Sequence, residues 1–162
     1  MKQSIGSVSA LIALSAATAS ADIEGAHFSN IEMDLTVHFS ALGIDMDGDG
    51  ANDFNMNYAN SGVTIIGTNG NEVFVNDVVS NETRSFDFGA EIGQAGTVAT
   101  TSFWINLIGE GVSYAGVKFK VGAQTNFGWI QFNIPDFTNG CLVRGAWENA
   151  SETSIPVGAV FG

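Results

Sequence analysis

The chain has 162 residues, room for one domain and hardly two, and 17 acidic against 5 basic side chains give a formal net charge of −12. Such an acidic surface argues against nucleic acid or an anionic membrane as partner, because both reward clustered Lys and Arg. The single cysteine, Cys141, excludes an intrachain disulfide, so stability must come from the core and from whatever the carboxylates bind.

Residues 1–21 read as an export signal. Lys2 supplies a thin positive start, Ile5 to Ala17 is apolar and rich in small residues, and Ala19-Ser20-Ala21 has the small-x-small form that signal peptidase accepts. The apolar run is shorter than the roughly 20 residues of a membrane-spanning helix. Residues 22–162 are then expected to form a single secreted domain.

From Asp22 onward the texture is β: short runs of Val, Ile, Thr and Phe are interrupted by Gly, Asn, Asp and Ser, with only two prolines and no sustained helical period. Ile31 to Phe39 alternates, placing Ile31, Met33, Leu35, Val37 and Phe39 on one face of an expected strand. The strand runs toward Asp45-Met46-Asp47-Gly48-Asp49-Gly50-Ala51-Asn52-Asp53. Phe54 to Tyr58 then alternates again.

Carboxylates fall at positions 1, 3, 5 and 9 of that acidic loop, with glycines between them. Packed so closely they repel one another unless a cation neutralises them. Hard oxygen donors on a flexible loop suit Ca²⁺, which takes about 6–8 oxygens at roughly 2.3–2.6 Å. Asp45, Asp47, Asp49 and Asp53 are the expected side-chain ligands, and the Ala51 carbonyl is a main-chain ligand. Magnesium demands stricter geometry and zinc prefers His and Cys. An EF-hand would need flanking helices and Glu at position 12, where this chain has Met56. The pattern predicts a β-flanked structural calcium loop.

Further on, Val63 to Ile66 and Glu72 to Val75 flank Asn69-Gly70, a hairpin signal. Asn76 to Gly96 is less regular, with a short helix expected around Phe86 to Ile92. Thr101 to Leu107 resumes as strand. Tyr114 to Ile134 reads as a long hairpin turned at Gly122 to Asn126; Ile130, Phe132 and Ile134 share one face, and Trp129, Gln131 and Asn133 the other. Cys141 to Trp147 forms a last long strand, with Cys141 expected as a buried, inert thiol. The tail closes at Ile155-Pro156-Val157-Gly158. Turn signals at this spacing predict an all-β fold, an antiparallel β-sandwich of jelly-roll-like form.

Gly116-Val117-Lys118-Phe119-Lys120-Val121-Gly122, Gly128-Trp129-Ile130-Gln131-Phe132, Gly145-Ala146-Trp147-Glu148-Asn149, and then Ile155 and Gly158 form a C-terminal pattern. With the Asp-Gly-Asp-Gly loop after an early strand, it resembles the secreted bacterial all-β domains of PEP-CTERM (exosortase-sorted) proteins, over most of residues 22–162. The resemblance implies an exported, calcium-stabilised domain without an established general activity. Those proteins continue into Pro-Glu-Pro, an apolar helix and a basic cluster; none comes after Phe161-Gly162 here, so free secretion is expected.

Catalytic patterns are sparse. His27 and His38 match no familiar ligand spacing, and no Gly-x-Ser-x-Gly nucleophile elbow occurs. The paired carboxylates of a polysaccharide hydrolase are not singled out by any context. The leading expectation is a non-catalytic extracellular or matrix-associated protein with structural Ca²⁺. The alternative is a carbohydrate-binding module for extracellular polysaccharide, with Trp129 the best candidate for stacking on a sugar, although core packing is the favoured role for Trp129 and Trp147.

Overall fold

A computed structural model describes residues 22–26, 28, 30–36, 40–59, 62–104, 111–136 and 138–159. The signal segment, His27, His38 and the end of the expected strand beyond Trp104 lie outside the described residues.

In chain order the strands are Ile23–Gly25 (β1), Ile31–Asp34 (β2), Ser40–Ile44 (β3), Phe54–Ala59 (β4), Gly62–Gly67 (β5), Glu72–Val75 (β6) and Ser85–Phe86 (β7). Glu91–Ile92 (β8), Thr97–Ala99 (β9), Thr101–Trp104 (β10), Gly111–Val121 (β11), Gln124–Ile134 (β12), Asn139–Glu148 (β13) and Ile155–Pro156 (β14) complete the order. There is no helix among the described residues. The larger sheet runs β1-β13-β12-β11-β6-β9, with β2 also pairing β13 and β7 also pairing β11. The smaller runs β10-β5-β4-β3, and β14 pairs β8 in a two-stranded ribbon. Every ladder between these strands is antiparallel. This is the antiparallel sandwich that the alternation predicts.

The inner core lies between the two sheets. Ile44, Phe54, Met56, Val63 and Ile65 of the smaller sheet meet Val117, Phe119, Ile130, Phe132, Ile134 and Leu142 of the larger. Phe119 packs edge-on to Phe54 and to Trp147, with centroids 6.4 and 5.7 Å away. Gly128 lets this face close: a Cβ there would stand 2.8 Å from the Ala146 carbonyl oxygen and 3.3 Å from Met46 Cε.

A second core covers part of the opposite face of the larger sheet. Phe74, Phe86, Ile92, Tyr114, Phe127, Trp129, Ile155 and Val157 are buried together, covered by the β8–β14 ribbon. Trp129 is only 1% exposed and meets Tyr114 edge-on at 5.7 Å. Of the two roles open to Trp129, the structure shows core packing and not a free stacking face: β12 is buried on both sides along most of its length.

Four local expectations also change. The run from Ile31 is not one strand, because β2 stops at Asp34, whose Oδ1 accepts from Thr36 N at 2.9 Å and Thr36 Oγ1 at 2.6 Å. The chain bends there and reappears as β3 in the other sheet. The Asn69-Gly70 turn forms as its chemistry demands, with φ of 53° and 84° and Asn71 N donating to Thr68 O at 2.8 Å. It joins β5 to β6 across the two sheets, however, and does not close a hairpin. The expected helix around Phe86 to Ile92 is instead β7, a turn in which Ala90 N bonds Asp87 O, and β8. Cys141 is free and half-buried rather than buried, with burial and the nearby Glu32 carboxylate holding its thiol pKa above the ordinary value.

Candidate metal centre

The acidic loop is the closed end of the β3–β4 hairpin, entered from Ile44 and left at Phe54, which pair directly. Its side chains alternate as if the strand continued. Met46 points inward and is fully buried in the inner core, while Asp45 and Asp47 are half-buried and Asp49 is exposed. Gly48 and Gly50 adopt φ of 78° and 88°, the left-handed region in which glycine carries no Cβ penalty, and so coil the chain around the carboxylates.

Carboxylate oxygens of Asp45, Asp47 and Asp49 lie within 4.8 Å of one another, a cluster that could hold a metal ion. The loop's own amides turn toward the same groups. Gly48 N and Gly50 N donate to the two oxygens of Asp45 at 2.7 and 3.0 Å. Asp49 N donates to Asp47 Oδ1 at 3.2 Å, and Ala51 N to Asp49 Oδ1 at 2.7 Å. These N–H dipoles soften the mutual repulsion of three clustered carboxylates without cancelling their charge. An oxygen-only donor set of this kind suits a hard cation.

Asp53 stands apart from that cluster and is 9% exposed. Its Oδ2 accepts from Met46 N at 2.8 Å and its Oδ1 from Asn71 Nδ2 at 3.0 Å. Burial pushes its pKa up to about 6; the Asp47 and Asp45 carboxylates push the same way, against the two hydrogen bonds. Its main chain is also held. Thr68 Oγ1 donates to Asp53 O at 2.9 Å and also bonds Asn52 O, and Thr68 N donates to Asp53 O. Asn71, 3% exposed, accepts from Lys120 N at 3.0 Å and so ties the foot of the loop to β11.

Of the five residues the sequence nominates, the structure gathers Asp45, Asp47 and Asp49 at the tip and places Asp53 at the foot, its oxygens already engaged by protein donors. Ala51 is exposed between them. The sequence does not mark Thr68 and Asn71 as partners of the loop, because the Asn69-Gly70 chemistry between them predicts a hairpin. The available signal was a Thr and an Asn flanking Asn69-Gly70, polar groups that find their partners when the turn crosses between sheets. No family model matches the chain, and no curated protein or solved structure matches it.

Proposed function

We propose that the protein is a secreted, non-catalytic extracellular or matrix-associated β-sandwich whose structural Ca²⁺ is held by Asp45, Asp47 and Asp49. In this reading the Ala51 carbonyl joins them as a main-chain ligand, and Asp53, named as a ligand on sequence spacing, anchors the foot of the loop through Met46 N and Asn71 Nδ2 instead. The observation that carries it is the convergence of three carboxylates within 4.8 Å at the tip of a hairpin whose foot is anchored by Met46 and Asp53. Support also comes from the resemblance of the Asp-Gly-Asp-Gly loop and the C-terminal strands to exported PEP-CTERM domains. Calcium at the tip would neutralise the repulsion and stiffen the β3–β4 connection.

A ligand that binds only the folded state stabilises it by about 2.7 kcal/mol at a concentration 100 times its Kd. Thermal unfolding in millimolar CaCl₂ should therefore give a clearly higher Tm than in excess chelator. The double variant Asp47→Ala plus Asp49→Ala should lose that difference while remaining folded. Superimposable wild-type curves with and without calcium would refute the metal role.

A further inference from the structure

The outer face of the smaller sheet, the side turned away from the inner core, carries no charged side chain in its two central rows. Paired residues across the four strands place Ala41, Asn57, Thr64 and Phe103 in one row. Gly43, Asn55, Ile66 and Thr101 form the other. In a chain of net charge −12 this is a local departure from the rest of the surface. Loss of charge with retention of amide, hydroxyl and aromatic groups is the composition of a contact surface.

Phe103 is 42% exposed, yet its backbone is held on both sides: its N donates to Asn81 O at 2.8 Å, and its carbonyl accepts from Thr83 N at 2.9 Å. An exposed ring on a fixed backbone is preorganised for a partner. Beside it, Thr64, Asn57 and Asn55 offer groups that both donate and accept hydrogen bonds. With strands about 4.8 Å apart, a row spans roughly 14 Å, enough for an oligosaccharide rather than one sugar. At the far end Asn52 leans over Gly43, where a Cβ would collide with it, and Nδ2 of Asn52 donates to Asn55 Oδ1 at 3.4 Å. The acidic loop therefore abuts this face.

We propose that the outer face of the β10-β5-β4-β3 sheet binds a neutral polysaccharide chain. A pyranose ring presents its C–H face to Phe103, and its hydroxyls exchange hydrogen bonds with Asn57, Thr64 and Asn55. The charge pattern selects this occupant. A second copy and an anionic polysaccharide would each bring more negative charge toward a protein of net −12, whereas an uncharged glycan meets only an uncharged face. The inference rests on the extracellular reading for where such a glycan would be met, but not on the calcium role.

Native affinity electrophoresis through gels cast with hydroxyethyl cellulose, xyloglucan, galactomannan or alginate tests it, run in calcium and in chelator. Retardation is expected in at least one neutral gel and none in alginate. Phe103→Ala should weaken the retardation about tenfold, and the pair Asn57→Ala plus Thr64→Ala should weaken it severalfold, both with circular dichroism unchanged. Binding that persists in a protein whose Tm ignores calcium would sink the metal role alone. The glycan proposal is overturned if folded protein passes every neutral gel unretarded, if retardation survives both variants, or if sedimentation shows a dimer that Phe103→Ala dissolves.

Discussion

On the larger sheet the outer faces of β11 and β12 carry Tyr114, Phe127 and Trp129 beneath a roof made by the β8–β14 ribbon. On the smaller sheet the corresponding face carries Asn, Thr, Ala, Gly, Ile66 and one exposed phenylalanine. Both sheets turn an apolar face inward, so the inner core does not distinguish them. The connecting segments do. Short stretches after β6 and β13 fold back over the larger sheet and turn its aromatic face into a second core. The β3–β5 meander presents Asn55, Asn57 and Thr64 beside Ala41, Gly43 and Ile66 on its outer face, which stays uncharged. An aromatic residue on an outward face thus has opposite meanings in the two sheets: Trp129 packs, Phe103 presents.

Truncating each ring gives the widest separation. Trp129→Ala should destabilise the fold by about 3–5 kcal/mol, because it empties the middle of the second core beside Tyr114. Phe103→Ala should cost under about 1 kcal/mol, since the ring is partly solvated and its backbone bonds remain. Urea unfolding of the two variants checks the contrast. Comparable losses would mean that Phe103 is a core residue and that the two faces do not differ as described.

Sequence periodicity reached the fold because alternation is set by the pleat, and the inner faces of β4, β11 and β12 are written in their alternation. Ile130, Phe132 and Ile134 went where their spacing sends them. What alternation cannot carry is whether the other face is solvated or roofed, since Trp129, Gln131 and Asn133 read as an amphipathic stripe either way. Pairing across sheets was equally hidden. The Asn69-Gly70 turn has the same chemistry in a hairpin as in a crossing, and nothing local to Ile31–Phe39 signals that Asp34 and Thr36 will bend the chain into the other sheet. The acidic tip was legible because its carboxylates are neighbours in sequence. Its foot was not, because Thr68 and Asn71 reach Asp53 only through the tertiary fold.

Glycine supplies a finer probe of the roof. At Gly116 an added Cβ would stand 2.9 Å from Phe86, 3.1 Å from Phe74 and 3.2 Å from Ile92, all side-chain atoms of the second core. Gly116→Ala should therefore cost about 1–3 kcal/mol by overpacking. The loss should fall disproportionately on the second core, so near-ultraviolet circular dichroism from Tyr114 and Trp129 should weaken while far-ultraviolet signal persists. An unchanged aromatic spectrum together with unchanged stability would show that the β8–β14 ribbon sits loosely over the sheet and that the roof is not a packed layer.

The same division between a buried and an open side runs through the acidic loop, and pH reads it. Asp45, Asp47 and Asp49 cluster toward solvent, whereas Asp53 is held inward with its pKa pushed up to about 6, above the roughly 3.9 of an unfolded aspartate. Between those values the native state binds more protons than the unfolded chain. The contribution of Asp53 is thus fully present below about pH 4 and is lost as pH rises through about 6. Asp34, Asp77 and Asp136 act in the opposite sense: hydrogen bonds from Thr36, from Ser80 and Val79, and from Thr138 and Asn139 hold their carboxyls below the ordinary value. Their contribution is present above about pH 4 and lost on further acidification. In excess chelator, wild-type Tm should fall between pH 4.5 and 7, and Asp53→Asn should flatten that slope by a few degrees. Added calcium should lower the Asp53 pKa by offsetting the Asp45 and Asp47 charges, which a carboxyl ¹³C titration resolves directly. A wild-type slope identical to that of Asp53→Asn would place Asp53 on the solvent side with its neighbours and erase the distinction between tip and foot.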